Sequence, residues 1–154
     1  MNNYPIEHIL PHAHPMILVD KLVAYSETGA CCSVSIGPQA NFYDDKRQAV
    51  PSYVGLEYMA QTIAAHANAM KLDEGGSVAL GFLVSARTYK AKVSEFKDGI
   101  ELSALVERIF KEENGLSAFD CTIKHNDEVL IEAKINVYEP DDPEQYLMEQ
   151  AGNE

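Results

Sequence analysis

Long apolar runs are missing from this sequence, and so is an excess of positive charge. No stretch approaches the roughly 20 consecutive apolar residues that a membrane-crossing helix needs. The opening residues, MNNYPIEHILPH, lack the charged, apolar and small-residue zones of a secretory signal, so a cytoplasmic location is expected. Lysine and arginine number 12 against 24 aspartates and glutamates, a formal charge of -12. Such a surface repels phosphates, which excludes nucleic acid and anionic membranes as general partners. Cysteine is sparse as well: Cys31 and Cys32 are adjacent, and Cys121 stands alone. Neighbours on a strand point to opposite faces and cannot form an ordinary bridge, which leaves free thiols in a reducing compartment. A Gly-Xaa-Ser-Xaa-Gly elbow, a phosphate-binding loop and a dinucleotide fingerprint are all absent. His12 and His14 have the spacing to share one side of an extended segment, but no Cys, Asp or Glu cluster at ligand spacing accompanies them. Neither a metal nor a cofactor is expected.

What is present suits one core. The 154 residues, 46% of them hydrophobic, predict a single domain over residues 1–140 with an acidic, proline-broken tail at 141–154. Apolar and β-branched runs at Met16-Tyr25 and Ala30-Ile36, split by Ser-Glu-Thr-Gly, read as an antiparallel hairpin. Residues 37–50 are polar and read as loop. Further strands are predicted at Ala79-Val93, Ile100-Glu112, Leu116-His125 and Val129-Tyr138, with turns at Lys97-Gly99, Glu113-Gly115 and Asn126-Glu128. Between the two groups of strands, Pro51 opens a long helix that "LDEGG" stops. The order implies an α+β fold: an antiparallel sheet packed on one helix.

In that helix Leu56, Met59, Ile63, Ala67 and Met70 make an apolar stripe at spacings of three and four. Alanines on the other positions let a sheet wrap closely around it, so a buried central helix is expected. Glu57 is therefore out of place. It shares a face with Gln61, four residues on, and Asn68 lies further along near the same side. Polar groups in a helix buried all round cost free energy unless they meet partners or a cavity. His66 and His125 read as a helix flank and a turn, without a role. Arg87, Lys90, Lys92 and Lys97 gather a third of the cations into "RTYKAKVSEFK", which reads either as lysines guarding a sheet edge or as a patch for an acidic partner.

Two segments carry a resemblance to a known family. "ILPHAHPMILVDKLV", from Ile9 to Val23, resembles the opening of the β-hydroxyacyl-carrier-protein dehydratases, and "LEYMAQ", from Leu56 to Gln61, matches their central-helix motif Glu-Ala-Met-Ala-Gln. Pro11-His12, Val50-Pro51, the helix from Gly55 to Gln61 and Gly81-Phe82-Leu83 are similar to the dehydratase-like proteins of aryl-polyene gene clusters. The resemblance implies the hotdog fold, a sheet wrapped around one helix, paired as a homodimer or with another hotdog protein, and with sites at the subunit interface. It implies elimination of water from a 3-hydroxyacyl chain held as a thioester on acyl carrier protein.

In the family a histidine removes the α-proton while the helix carboxylate protonates the departing hydroxyl. By that likeness Glu57 is the acid, Gln61 orients the hydroxyl or water, and the Ser52 amide stands where a family glycine polarises the thioester. Gap-free counting puts Tyr43 at the family histidine. His12 or His14 is the candidate base within this chain, ahead of Asp44 or Asp45, and Arg87, Lys90, Lys92 and Lys97 are the candidate carrier-docking patch. A non-catalytic hotdog partner and a thioester hydrolase are the alternatives.

Overall fold

The computed structural model describes residues 1–11, 16–78, 82–139 and 148. A short helix, α1 (Ile6–Ile9), precedes the hairpin of β1 (Lys21–Tyr25) and β2 (Gly29–Ser35). Next come β3 (Ala49–Pro51), a 3-10 turn at Ser52–Val54 and the long helix α2 (Gly55–Asp73). The rest of the described chain is strand: β4 (Phe82–Ala91), β5 (Glu95–Lys97), β6 (Glu101–Lys111), β7 (Leu116–His125) and β8 (Glu128–Tyr138). Six strands form one antiparallel sheet in the order β1-β2-β6-β7-β8-β4, and β3 pairs with β5. One long helix on such a sheet is the hotdog arrangement.

Alternation explains the packing. Strand β7 turns Phe119, Cys121 and Ile123 inward, and the register sets them opposite Ile135, Ala133 and Ile131 of β8. Leu102, Ala104 and Val106 of β6 extend the same apolar floor. Helix α2 buries Tyr58, Met59, Thr62, Ile63, Ala65 and Ala69. Met59 is wholly buried, and cutting it to alanine costs about 2–5 kcal/mol. The helix ends in a Schellman closure: Gly75, at φ +81°, donates to the Leu72 carbonyl at 3.0 Å, and Gly76 donates to that of Lys71 at 2.8 Å.

Several boundaries differ from the sequence reading. The first strand begins at Lys21 instead of Met16, because the amides of Leu18 and Val19 are given to the Gln61 side chain. Pro51 closes β3 and does not open α2; the 3-10 turn carries the chain round to Gly55. The 37–50 loop contains an Asp44–Ala49 bridge and the first residues of β3. Strand β5 ends where only a turn at Lys97-Gly99 is predicted. Residues 79–81 of the predicted strand, and nearly all of the tail, lie outside the described residues.

The helix is not buried all round. Its core face is as named above, while Leu56, Ala67 and Met70 of the predicted stripe are half-buried. Ala60, Ala64, Ala67 and Met70 border a cavity. Among the described residues no helix is long and apolar enough to cross a membrane.

Candidate active site

Glu57 stands in the first turn of α2, half-buried, and its Oε1 accepts a 3.2 Å hydrogen bond from Gln61 Nε2. The i, i+4 spacing brings the two side chains together. Gln61 is fully buried and its amide is saturated by its own chain. Nε2 also donates to the Met16 carbonyl at 2.7 Å, while Oε1 accepts from the amides of Leu18 at 2.8 Å and Val19 at 3.3 Å. Leaving such groups buried and unpaired costs about 1–3 kcal/mol each. Gln61 thus straps the 16–19 segment to the helix and holds Glu57 with the same amide.

A second residue orders the start of the helix. The Tyr89 hydroxyl donates to the Ser52 carbonyl at 2.6 Å and accepts from the Leu56 amide, and burial pushes it up to about 12. Gly55 permits this approach: a Cβ there would lie 2.7 Å from both the Tyr89 hydroxyl and Ile123 Cδ1. The Ser52 amide, predicted to face the thioester, donates instead to the Ser94 carbonyl at 3.0 Å. That bond closes the β3–β5 corner and takes the donor out of use. Tyr89 escapes sequence reasoning because it lies in a bulge between Arg87 and Lys90, where Thr88 adopts φ +51°. No local pattern announces such a bulge.

A cavity of about 520 Å³ runs along α2 from Glu57, walled by Ala60, Ile63, Ala64, Ala67, Phe119 and Val137. Its far end is polar, lined by Arg108, Lys111 and the ion pair of Lys71 with Glu139. His66 also lines it. The helix-flank reading of His66 fails, because the ring is buried, bonded through Nε2 to the Ser26 carbonyl at 2.9 Å and set edge-on to Phe119. Burial holds that imidazole below its usual 6.5.

The other predicted residues are dispersed. Tyr43 is half-buried in the 37–48 loop, away from the cavity lining. Desolvation and the neighbouring Asp98 carboxylate push its hydroxyl above the ordinary 10. Arg87, Lys90 and Lys92 are exposed, the first two on β4 and the third just past it. Lys97, on β5, is bound at 2.8 Å to Glu95, which Arg47 also holds. These two cations draw Glu95 down to about 2. His12 and His14 lie outside the described residues, between Pro11, which lines the cavity, and Met16, whose carbonyl Gln61 holds.

A carboxylate strapped at the mouth of an apolar cavity, on the central helix of a hotdog fold, is where comparison with known proteins decides the family. Residues 4–148 match the ApeP-like family, described as ApeP dehydratase. The chain belongs to the ApeP-like dehydratases. It is 28% identical over 141 residues to the 3-hydroxyacyl-[acyl-carrier-protein] dehydratase FabZ of Psychrobacter arcticus, covering 87% of this chain and 93% of that one. Against the FabZ of Pseudothermotoga lettingae the identity is 38% over 81 residues, 51% of this chain and 55% of that one. Among solved structures, the dehydratase heterocomplex ApeI:P from Xenorhabdus doucetiae shares the fold at a TM-score of 0.86 and 22% identity, covering 96% of this chain and 98% of the other.

Proposed function

We propose that this ApeP-like chain supplies the carboxylate of a site that dehydrates 3-hydroxyacyl thioesters on acyl carrier protein, and that a second hotdog subunit completes the site. The observation that carries this reading is Glu57, fixed by a saturated, buried Gln61 at one end of a cavity walled by alanines. The acyl chain lies along Ala60, Ala64 and Ala67, which places the carbon bearing the hydroxyl beside Glu57. A base takes the proton from the carbon next to the thioester carbonyl, and that electron pair forms the double bond. The bond to the hydroxyl breaks as Glu57 delivers its proton, and water leaves while the thioester stays intact. The positive end of the α2 dipole favours the charge that develops on the carbonyl.

The base is the missing part. Among the described residues, His66 is the histidine lining the cavity, and it stands nine residues from Glu57. That is about 14 Å along the axis and half a turn around it, too far for both to serve one substrate carbon. Tyr43, its hydroxyl pushed above 10, makes a poor base near neutrality. A second subunit supplies the imidazole on this reading. The Xenorhabdus doucetiae protein, solved as a dehydratase heterocomplex, supports it. A second reading, with His12 or His14 as the base, is favoured by two described neighbours in sequence: Pro11 lines the same cavity as Glu57, and the Met16 carbonyl is held by Gln61.

Intact-mass spectrometry of a 3-hydroxyacyl carrier protein tests both. Loss of one water should appear or accelerate when a second hotdog dehydratase is added, and Glu57→Gln in this chain should abolish the gain. Activity of the chain alone that disappears in His12→Ala or His14→Ala would support the second reading. Full activity surviving Glu57→Gln would remove Glu57 from the chemistry, and release of free carrier thiol would reveal hydrolysis instead.

A further inference from the structure

The sheet has two edges, and the chain treats them differently. Strand β1 is short and bulged between Leu22 and Ala24, and the N-terminus lies against it. The Tyr25 amide donates to Met1 Sδ at 3.2 Å, and the Asn2 amide donates to the Tyr25 hydroxyl at 2.9 Å. Strand β4 runs for 10 residues, and among the described residues no strand pairs with its far side. Its inner face is covered only in part, by Tyr89 of the bulge, which packs at the start of α2. Ala86 and Ala91 sit opposite Ile135 and Ile131, whose side chains point into the core, yet both alanines are exposed. An edge this long, with two inward alanines left exposed, is the place for another chain.

The outer face of that edge is cationic. Arg87 stands opposite Lys134 and Lys90 opposite Glu132, with Lys92 just beyond, and all three edge cations are exposed. Residues 82–92 contain no aspartate or glutamate. The nearby carboxylates, Glu132 and the Asp120 that faces Lys134 at 3.7 Å, are one and two strands in from the edge. Antiparallel pairing of this edge with its own copy sets same-face residues opposite one another. Every two-fold register over residues 85–92 then confronts a cation with a cation or a neutral residue, never with a carboxylate. Like charges directly opposite are destabilising, and opposite charges stabilise.

We propose that the β4 edge selects its partner by charge: Arg87, Lys90 and Lys92 disfavour a second copy of this chain and accept a hotdog subunit whose own edge strand presents carboxylates. This rests on the reading that a second subunit completes the Glu57 site, and it names what that subunit must carry. Repulsion in the self-pair together with attraction in the mixed pair is how specificity is built into an interface.

A mixing experiment needs no knowledge of the register and no turnover. The full chain is combined with its Arg87→Glu/Lys90→Glu/Lys92→Glu variant, whose fold is checked by circular dichroism, and native mass spectrometry counts the dimers. The square of the mixed-dimer signal divided by the product of the two homodimer signals should exceed its statistical value about tenfold at about 0.05 M sodium chloride and fall towards that value at about 0.5 M. Should the triple variant fail to fold, Lys90→Glu alone should raise the same ratio about threefold above its statistical value. Statistical mixing would overturn the proposal, as would a wild-type homodimer whose dissociation constant ignores salt. Statistical mixing with loss of carrier-protein binding in the triple variant would also overturn it, and would assign the cations to carrier docking. Because subunits are counted and turnover is not measured, failure here is distinct from failure of the dehydratase reading, which the water-loss assay judges.

Discussion

Glu57 and Asp73 are carboxylates at opposite ends of one helix, and the chain uses them in opposite ways. Asp73 is the last residue of α2, where the helix carbonyls disfavour negative charge. It is compensated by donors from its own chain: the Tyr4 hydroxyl at 2.6 Å and Asn2 Nδ2 at 2.7 Å on Oδ1, and the Tyr25 hydroxyl at 2.7 Å on Oδ2. These bonds hold its carboxyl below the ordinary value and tie the N-terminus and β1 to the helix. A carboxylate clamped in this way has no proton to lend and no room for substrate. Glu57 instead faces a cavity, and the amide that holds it spends its other bonds on the 16–19 segment. A joint is made by closing donors around a carboxylate; on the proposed reading, a reagent is made by holding one beside a cavity.

Replacing Glu57 by glutamine breaks the reagent alone. The amide oxygen still accepts from Gln61, so the unfolding midpoint should match wild type while water loss falls about 10²–10⁴-fold. A lowered midpoint would show that Glu57 is a joint after all. Gln61→Leu breaks the strap behind it. The Leu18 and Val19 amides and the Met16 carbonyl lose their partner, and urea unfolding should report a cost of about 2–4 kcal/mol together with slower turnover. Gly55→Ala comes next. Its new methyl meets Tyr89 and Ile123, so about 1–3 kcal/mol of stability should be lost at the helix start, measured by thermal melting.

The two ends were not equally legible in the sequence. Glu57 is visible because a lone carboxylate in an alanine-rich helix demands a reason, and the strands are visible because inward residues such as Phe119, Cys121 and Ile123 alternate. Gln61's partners lie more than forty residues away in "MILVD", a run whose β-branched character reads locally as strand. Only the tertiary bond makes it a strap. The setting of His66 is hidden for a similar reason: its ring meets the Ser26 carbonyl, 40 residues upstream. Asp73 looks like part of a helix stop, since nothing near it in sequence foretells that Asn2, Tyr4 and Tyr25 converge on it. The resemblance offers a candidate acid in Glu57 but no base, because Tyr43 stands where the family has its histidine.

The smallest effect should come from Asp73→Asn, and its pH dependence is the sharpest statement of the comparison. Tyr4, Asn2 and Tyr25 depress the folded carboxyl of Asp73 below its ordinary 3.8. The stability it contributes is therefore present above about pH 4, and it is lost as pH falls from there through the folded value. Thermal melting of both proteins from about pH 7 to about pH 2 should show wild type the more stable at neutrality and the gap closing on acidification. A gap that ignores pH would mean that the three donors bind an uncharged group equally well, and the clamp would not be electrostatic. In the same variant, turnover at neutral pH and below the melting range should stay at the wild-type level. If it fell as steeply as in Glu57→Gln, the two ends of α2 would be mechanically coupled, and the division between joint and reagent would fail.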